Sequence, residues 1–203
     1  MDNLDEKILS LRNQQQKNQN SNIETGAFIN YSLVKFIEAE ALDSQFTVLI
    51  PSNFVEMSLE QARMKYPSEL RPQCIKTSPD TSVNLGLNLI DYPATEESLA
   101  FDINEMKNAL KSTNPSIEFY ESGIEQLEDF KLAWFEFKSF AIGGQMFNIM
   151  FTAPANGQML QGVFNCLFEQ YDMWQKPALQ MIRSIRYMKP DNQTEEIELK
   201  EKT

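Results

Sequence analysis

The sequence predicts an α+β fold built on one mainly antiparallel sheet with helices packed against it. Three strand patterns follow one another between residues 131 and 170, joined by turns that contain glycine, which is typical of an antiparallel meander. One amphipathic helix pattern precedes this run and another follows it. The regular alternation of strands and helices that builds a doubly wound parallel sheet is missing from the sequence.

The first elements are predicted to be two strands of a hairpin over residues 31–51. Apolar and other residues alternate on both sides of Asp43-Ser44, which supplies the turn, and Pro51 ends the second strand.

A short helix and two strands are predicted next. Ser58 and Gln61 have the spacing of a capping box, and the proline that follows predicts a helix end at about Tyr66. Residues 73–78 and 82–90 have strand patterns, the second with one polar face.

The clearest helix pattern follows Thr95, which we expect to be its cap. Apolar residues recur at spacings of four, three and four and form one stripe: Leu99, Ile103, Met106 and Leu110. Asn114-Pro115 ends it.

Four strands and a helix complete the pattern. The predicted strands cover residues 116–122, 131–140, 145–153 and 158–170. The third is apolar on both faces, which indicates that both faces of the sheet are covered. The last helix begins at about Asp172 or at Pro177, which suits a first helical turn, and ends at Met188.

Composition divides the chain into three parts. Residues 1–26 are predicted to be a flexible polar tail, residues 27–188 a single domain, and residues 189–203 an acidic C-terminal tail.

Charge and composition exclude several classes of partner. The net charge of −11 repels phosphate backbones and anionic lipid, so we expect neither nucleic acid nor a membrane as a partner. The polar N-terminal residues lack the pattern of a secretory signal, and two cysteines fit the cytoplasm as free thiols. The expected location is therefore cytoplasmic.

The absence of histidine is the most informative feature of the composition. It removes the commonest general base and metal ligand, and it excludes hydrolases that pair serine or cysteine with histidine. We therefore expect no enzyme activity, no catalytic residues, no metal site and no cofactor.

The two cysteines are predicted to differ. Cys166 alternates with phenylalanines on what the pattern predicts to be a core face, so we expect it to be buried and inert. Cys74 has Arg71 and Lys76 nearby and is the better candidate for reactivity. A disulfide between the cysteines stays open, since their separation in space is not given by sequence.

Two classes of function remain. The first is a protein-binding adapter or chaperone, and the second is a small-molecule-binding domain or an enzyme that uses carboxylates and tyrosines without histidine. The second would need an enclosed pocket, and Tyr66, Arg71 and Tyr92, near loop ends, are the predicted binding residues at its rim. An immunity-type protein that masks a basic target is a further alternative, because an acidic surface suits such a target.

Several segments resemble the PsbP-like fold group: "FTVLIPSNFVEM", "KYPSELRP", "FNIMF" and, above all, "FNCLFEQYDMWQKPALQMIRSI". That group includes PsbP proteins, a Ran-GTPase release factor and DcrB-like proteins. The resemblance covers about residues 31–188. It implies a central antiparallel sheet of about six to eight strands with helices on both faces, and a role in binding another protein instead of catalysis.

Overall fold

The computed structural model describes residues 21–69, 71–141 and 143–188. The helices are α1 (Leu59–Lys65), α2 (Leu99–Thr113) and α3 (Tyr171–Arg183), with a one-turn 3₁₀ helix (Phe168–Gln170) that leads into α3. The strands are β1 (Ser21–Asn22), β2 (Gly26–Ile29), β3 (Ser32–Val34), β4 (Phe36–Ala41), β5 (Phe46–Pro51), β6 (Val55–Glu56), β7 (Cys74–Thr77), β8 (Asn84–Ile90), β9 (Glu118–Gln126), β10 (Lys131–Ala141), β11 (Gly144–Ala155), β12 (Gln158–Leu167) and β13 (Arg186–Tyr187). None of the helices described has the length and apolar character needed to cross a bilayer.

Seven strands form the central sheet, in the order β6-β7-β8-β12-β11-β10-β9, and every pairing is antiparallel. The predicted meander is confirmed as β10, β11 and β12, which pair in sequence order. Two three-stranded sheets, β1-β2-β3 and β13-β5-β4, complete the strand structure. The α+β class and the expected strand number of the central sheet are therefore confirmed.

The two faces of the central sheet carry different layers. We call the side that carries Leu132 and Trp134 the first face; α3 and the small sheets pack on it in one large apolar core. The second face carries the alternate residues Ala133 and Phe135, which pack against α2. Helix α1 covers Ile75 at the far end of the second face. Helices on both faces are thus confirmed, as the apolar pattern of β11 requires.

Both cysteines are buried and free. Cys166 lies fully buried on the first face, and burial raises its thiol pKa to about 12. Cys74 is only 5% exposed, and burial raises its pKa as well. The expectation of an inert Cys166 fits this placement, whereas Cys74 is no better placed to react, because the cations near it in sequence do not offset its burial.

Two helix boundaries differ from the sequence prediction. The N-cap position of α2 is Ser98, whose side chain makes no capping hydrogen bond to the helix backbone, and Thr95 exchanges hydrogen bonds with Ser98 in the preceding turn. Helix α3 begins at Tyr171, in agreement with the predicted start at about Asp172, but it ends at Arg183 and not at Met188. It stops there because residues 186 and 187 pair with β5, so the apolar pattern after the helix belongs to a strand.

The folded part begins earlier than residue 27. Residues 1–20 of the predicted tail, and the tail from residue 189, lie outside the described residues. From Ser21 onward, β1 pairs with β2, and Ile23 is 3% exposed within the large core. A single buried isoleucine in a polar stretch gives no periodic signal, so the sequence prediction missed it.

Candidate functional site

Tyr66 lines a small cavity on the second face. The cavity measures about 140 Å³ and lies beside Pro72 and Gly86. Asn165 donates a hydrogen bond to the Tyr66 hydroxyl at 3.2 Å, and burial raises the pKa of Tyr66. Pockets that bind drug-sized ligands span roughly 300–1,000 Å³, so this cavity is too small for such a ligand.

The other two predicted binding residues have different surroundings. Arg71 pairs with exposed Glu69 at 3.2 Å. Tyr92 donates a hydrogen bond to Asp102 of α2 at 3.1 Å, which raises the Tyr92 pKa. Among the described residues, the cavity is lined by Tyr66 but by neither Arg71 nor Tyr92. A shared rim of these three residues stays a prediction.

A larger cleft of about 960 Å³ borders the turn between β4 and β5. The turn is unusual because Leu42, Asp43 and Ser44 all have positive φ, a conformation that side chains other than glycine rarely adopt. The Lys76 side chain forms an ion pair with Glu56 at 2.9 Å at this cleft. Half of its lining residues are exposed and polar, unlike the apolar walls of typical ligand pockets.

A cluster of partly exposed aromatic rings lies on the first face, where β9 and β10 meet the 3₁₀ helix. We define the aromatic patch as Tyr120, Phe140, Phe168 and Tyr171. Tyr120 and Phe140 are 41% and 43% exposed, and the other two are partly buried. Phe168 stacks on Tyr171 with ring centroids 5.8 Å apart, and Tyr120 lies 6.3 Å from each of them.

Lys138 joins Phe140 to the other rings of the aromatic patch. Its Nζ lies 4.7 Å from the centroid of Phe168 and 5.3 Å from that of Phe140, within the range of cation–π contacts. Glu118 is 3.9 Å from the same ammonium group. The Lys138 side chain is 15% exposed, so its charge interacts mainly with groups of the protein itself.

A buried carboxylate lies close to the aromatic patch. Glu136 is fully buried, and Gln175 of α3 donates to its Oε1 at 2.9 Å. The other carboxylate oxygen has no hydrogen-bond partner among the described residues. Burial raises the Glu136 pKa, and the neighbouring charge of Glu121 adds to the rise. An unsatisfied buried carboxylate is costly, so this group is a candidate for a ligand contact.

Two local features of the chain create this arrangement. The pairing of β9 with β10 contains a bulge between Phe135 and Phe137, which brings both Tyr120 and Glu121 opposite Glu136. Strand β12 ends at Leu167, and the 3₁₀ helix then directs the chain across the first face. Alternation along β12 predicts a buried Phe168; it is partly exposed because the strand has already ended.

The tyrosines of the patch stay protonated near neutral pH. Burial raises the pKa of Tyr120, and burial together with the charges of Glu136 and Glu121 raises that of Tyr171. Tyr171 also packs edge-on against buried Phe147 at 4.8 Å. Rings fixed in this way provide contact area at a small cost in conformational entropy.

The solved structures most informative about this chain share its fold at low identity. Cyanobacterial PsbP (CyanoP) from Synechocystis matches 78% of this chain and 96% of its own, with a TM-score of 0.57 and 9% identity. The fold is PsbP-like. LpqN of Mycobacterium tuberculosis, described as involved in cell envelope biogenesis, matches 84% of this chain and 99% of its own, with a TM-score of 0.53 and 13% identity.

A third solved structure is the Ran-binding protein Mog1p of Saccharomyces cerevisiae. It matches 76% of this chain and 96% of its own, with a TM-score of 0.48 and 10% identity. The fold assignment rests on the first two structures. No family model matches the chain, and no curated protein matches it in sequence. The comparisons therefore give the fold and leave function to the site itself.

Proposed function

We propose that this PsbP-like domain is a non-catalytic adapter or chaperone-like module of the cytoplasm that binds another protein through the aromatic patch. The observation that carries the proposal is a set of neighbouring, partly exposed aromatic rings held by a rigid core. Tyrosine and other large aromatic residues dominate the binding energy of protein interfaces when they lie near the centre of a contact.

The groups around the patch are suited to binding. The raised pKa values of Tyr120 and Tyr171 keep both hydroxyl groups protonated, and the Tyr120 hydroxyl donates a hydrogen bond to Glu118 at 3.4 Å, which orients its ring. The free thiols of Cys74 and Cys166 support the assignment to the cytoplasm, where thiols stay reduced.

Site-specific photo-crosslinking tests the proposal. A benzophenone side chain would replace Tyr120 in the full chain, in its native cells, and a matched variant would carry it at Phe101. Phe101 lies on α2 and is 64% exposed, so it controls for exposure alone. We expect one protein to be crosslinked from position 120 and not from position 101.

The crosslinked protein is then purified and titrated against the wild-type chain and the Tyr120→Ala and Phe140→Ala variants. A hot-spot residue contributes about 2 kcal/mol, which corresponds to a loss of affinity of roughly thirtyfold. Equal crosslinking from both positions, or unchanged affinity in both variants, would contradict the proposal.

A further inference from the structure

Strand β9 is the long open edge of the central sheet. It spans nine residues, and no described strand pairs with its outer side. Along such an edge, every second residue directs its N–H and C=O groups away from the sheet. The opposite edge is β6, which has only two residues. Strand β9 therefore offers the longer row of unpaired backbone groups.

The two faces of β9 differ in chemistry. On the first face, Tyr120 belongs to the aromatic patch, and Glu118 and Glu121 lie beside it. On the second face lie apolar Phe119 and Ile124, and Ile124 is 48% exposed. A strand paired with β9 would place its side chains alternately beside the acidic, aromatic side and beside the apolar side.

Charge at this edge favours a cationic partner. The Glu118 side chain is 54% exposed although it lies 3.9 Å from the largely buried ammonium group of Lys138, and Glu121 is exposed. Glu136 adds a buried carboxyl group beneath the same face. The net charge of the chain, −11, extends the attraction to longer range.

We propose that β9 accepts an extended segment of the partner protein as an eighth strand, and that this segment alternates basic and apolar residues. The basic residues lie beside Glu118 and Tyr120, and the apolar residues lie beside Phe119 and Ile124. The inference rests on the proposed function, which it deepens by naming the mode of binding and the chemistry of the partner. Strand addition of this kind takes affinity from main-chain hydrogen bonds and specificity from alternate side chains.

The test uses a fluorescent ten-residue peptide of alternating arginine and valine, titrated against the full chain. Two matched peptides carry the same side chains but have N-methyl groups on either the arginine or the valine nitrogens, which blocks one hydrogen-bonding edge at a time. We expect one methylated peptide to bind at least about tenfold more weakly, since each lost hydrogen bond is worth about 0.5–1.5 kcal/mol. The other should bind like the unmodified peptide.

Variants of the protein test the charge argument separately. The double variant Glu118→Gln/Glu121→Gln should weaken binding and reduce its dependence on salt. The control Glu60→Gln/Glu105→Gln removes the same charge from exposed positions on α1 and α2. It should leave the affinity for the peptide and the salt dependence of binding unchanged. Hydrogen exchange should slow in β9 when the unmodified peptide is added.

The outcomes separate this inference from the proposed function. Equal binding of the two methylated peptides overturns strand addition. So does hydrogen exchange that slows only at residues outside β9. Lack of binding by the unmodified peptide overturns the alternating pattern. In each case, selective crosslinking from position 120 would still support a partner at the aromatic patch, whereas loss of that crosslink removes the proposed function itself.

Discussion

The two faces of the central sheet bury their residues by different means. On the first face, adjacent strands bring together fully buried apolar side chains such as Phe147 and Phe164, sealed by Trp174 of α3. On the second face, the corresponding region contains buried amides: Asn84 donates to Asn165 at 2.9 Å. At β8 and β12, the same sheet thus combines a close-packed apolar layer on the first face with a hydrogen-bonded layer on the second, while an apolar cluster under α2 covers the second face at β10.

The difference between the faces explains where each can tolerate change. A close-packed layer has no room for added atoms, whereas a hydrogen-bonded layer is sensitive to a lost partner. The aromatic patch lies at the rim of the first face, where Tyr171 packs on Phe147, so the packed layer holds its rings in place.

The largest change in stability should come from adding a methyl group to one face or the other, in two separate variants. A Cβ at Gly162 would lie 2.1 Å from the buried ring of Phe151, whereas at Gly86 it would lie 2.6 Å from Pro72, in a partly exposed loop. We expect Gly162→Ala to lower the free energy of unfolding by about 3 kcal/mol and Gly86→Ala by about 1 kcal/mol. Urea denaturation measures both.

Labelling of Cys166 gives a second readout of the same comparison. The Gly162→Ala variant should react faster with a thiol reagent than the wild type, because Cys166 becomes accessible on opening of the first face. Gly143→Ala is the control, since an added Cβ there meets no atom within 4 Å. Equal loss of stability at Gly162 and Gly86 would show that the two faces are equally rigid.

The second prediction removes a hydrogen bond from the second face. Asn84 also accepts a bond from the Thr77 hydroxyl at 2.8 Å, so Asn84→Ala leaves both Thr77 and Asn165 without a partner they have now. We expect a loss of about 2 kcal/mol by urea denaturation. Exposed Asn108 on α2 provides the control, and Asn108→Ala should change stability by less than about 0.5 kcal/mol.

The third prediction concerns Glu136, whose carboxyl group is buried on the first face. The Glu136 pKa is raised above its ordinary value of 4.5, so its stabilising contribution is complete below that value and is lost as pH rises through the raised pKa. Glu136→Gln keeps the acceptor for Gln175 and carries no charge. We expect the variant to be more stable than the wild type at about pH 7, by about 1 kcal/mol, and equal to it at about pH 4.

Thermal unfolding across this pH range measures the effect. A difference in melting temperature that stays constant with pH would contradict the raised pKa. Exposed Glu60 is the control, since Glu60→Gln should show no such trend.

The smallest effect should come from the cap of α1 on the second face. The Ser58 hydroxyl accepts the backbone N–H of Gln61, whose side chain in turn accepts the N–H of Ser58. We expect Ser58→Ala to cost about 0.5–1 kcal/mol, because the helix is short and its cap is exposed. Chemical denaturation measures the loss. Ser112→Ala, at an exposed position in the last turn of α2, is the control and should be close to neutral.

The sequence could predict those elements whose pattern is set locally. The capping box of α1 and the meander of β10, β11 and β12 are present as predicted, because turn chemistry and alternation depend on neighbouring residues. The end of α3 could not be predicted in this way. Arg186 and Tyr187, which follow the helix, pair with a strand more than a hundred residues earlier in the chain.

The candidate site could not be predicted from local pattern. Its rings come from β9, β10, the 3₁₀ helix and α3, and the bulge in β9 places both Tyr120 and Glu121 opposite Glu136. The predicted rim of Tyr66, Arg71 and Tyr92 was chosen from loop positions, which give no distances. Glu136 carries one weak signal, a carboxylate in the otherwise apolar run "LAWFEF" of β10.

The acidic edge of the sheet also governs how copies of this chain meet one another. Two β9 strands placed side by side would bring Glu118 and Glu121 of one molecule close to the same residues of the other, and like charges across a strand pair are unfavourable. We therefore expect Glu118 and Glu121, which favour a basic segment, to disfavour pairing between two copies of the chain. Their repulsion opposes the formation of a continuous sheet between molecules along this exposed nine-residue edge.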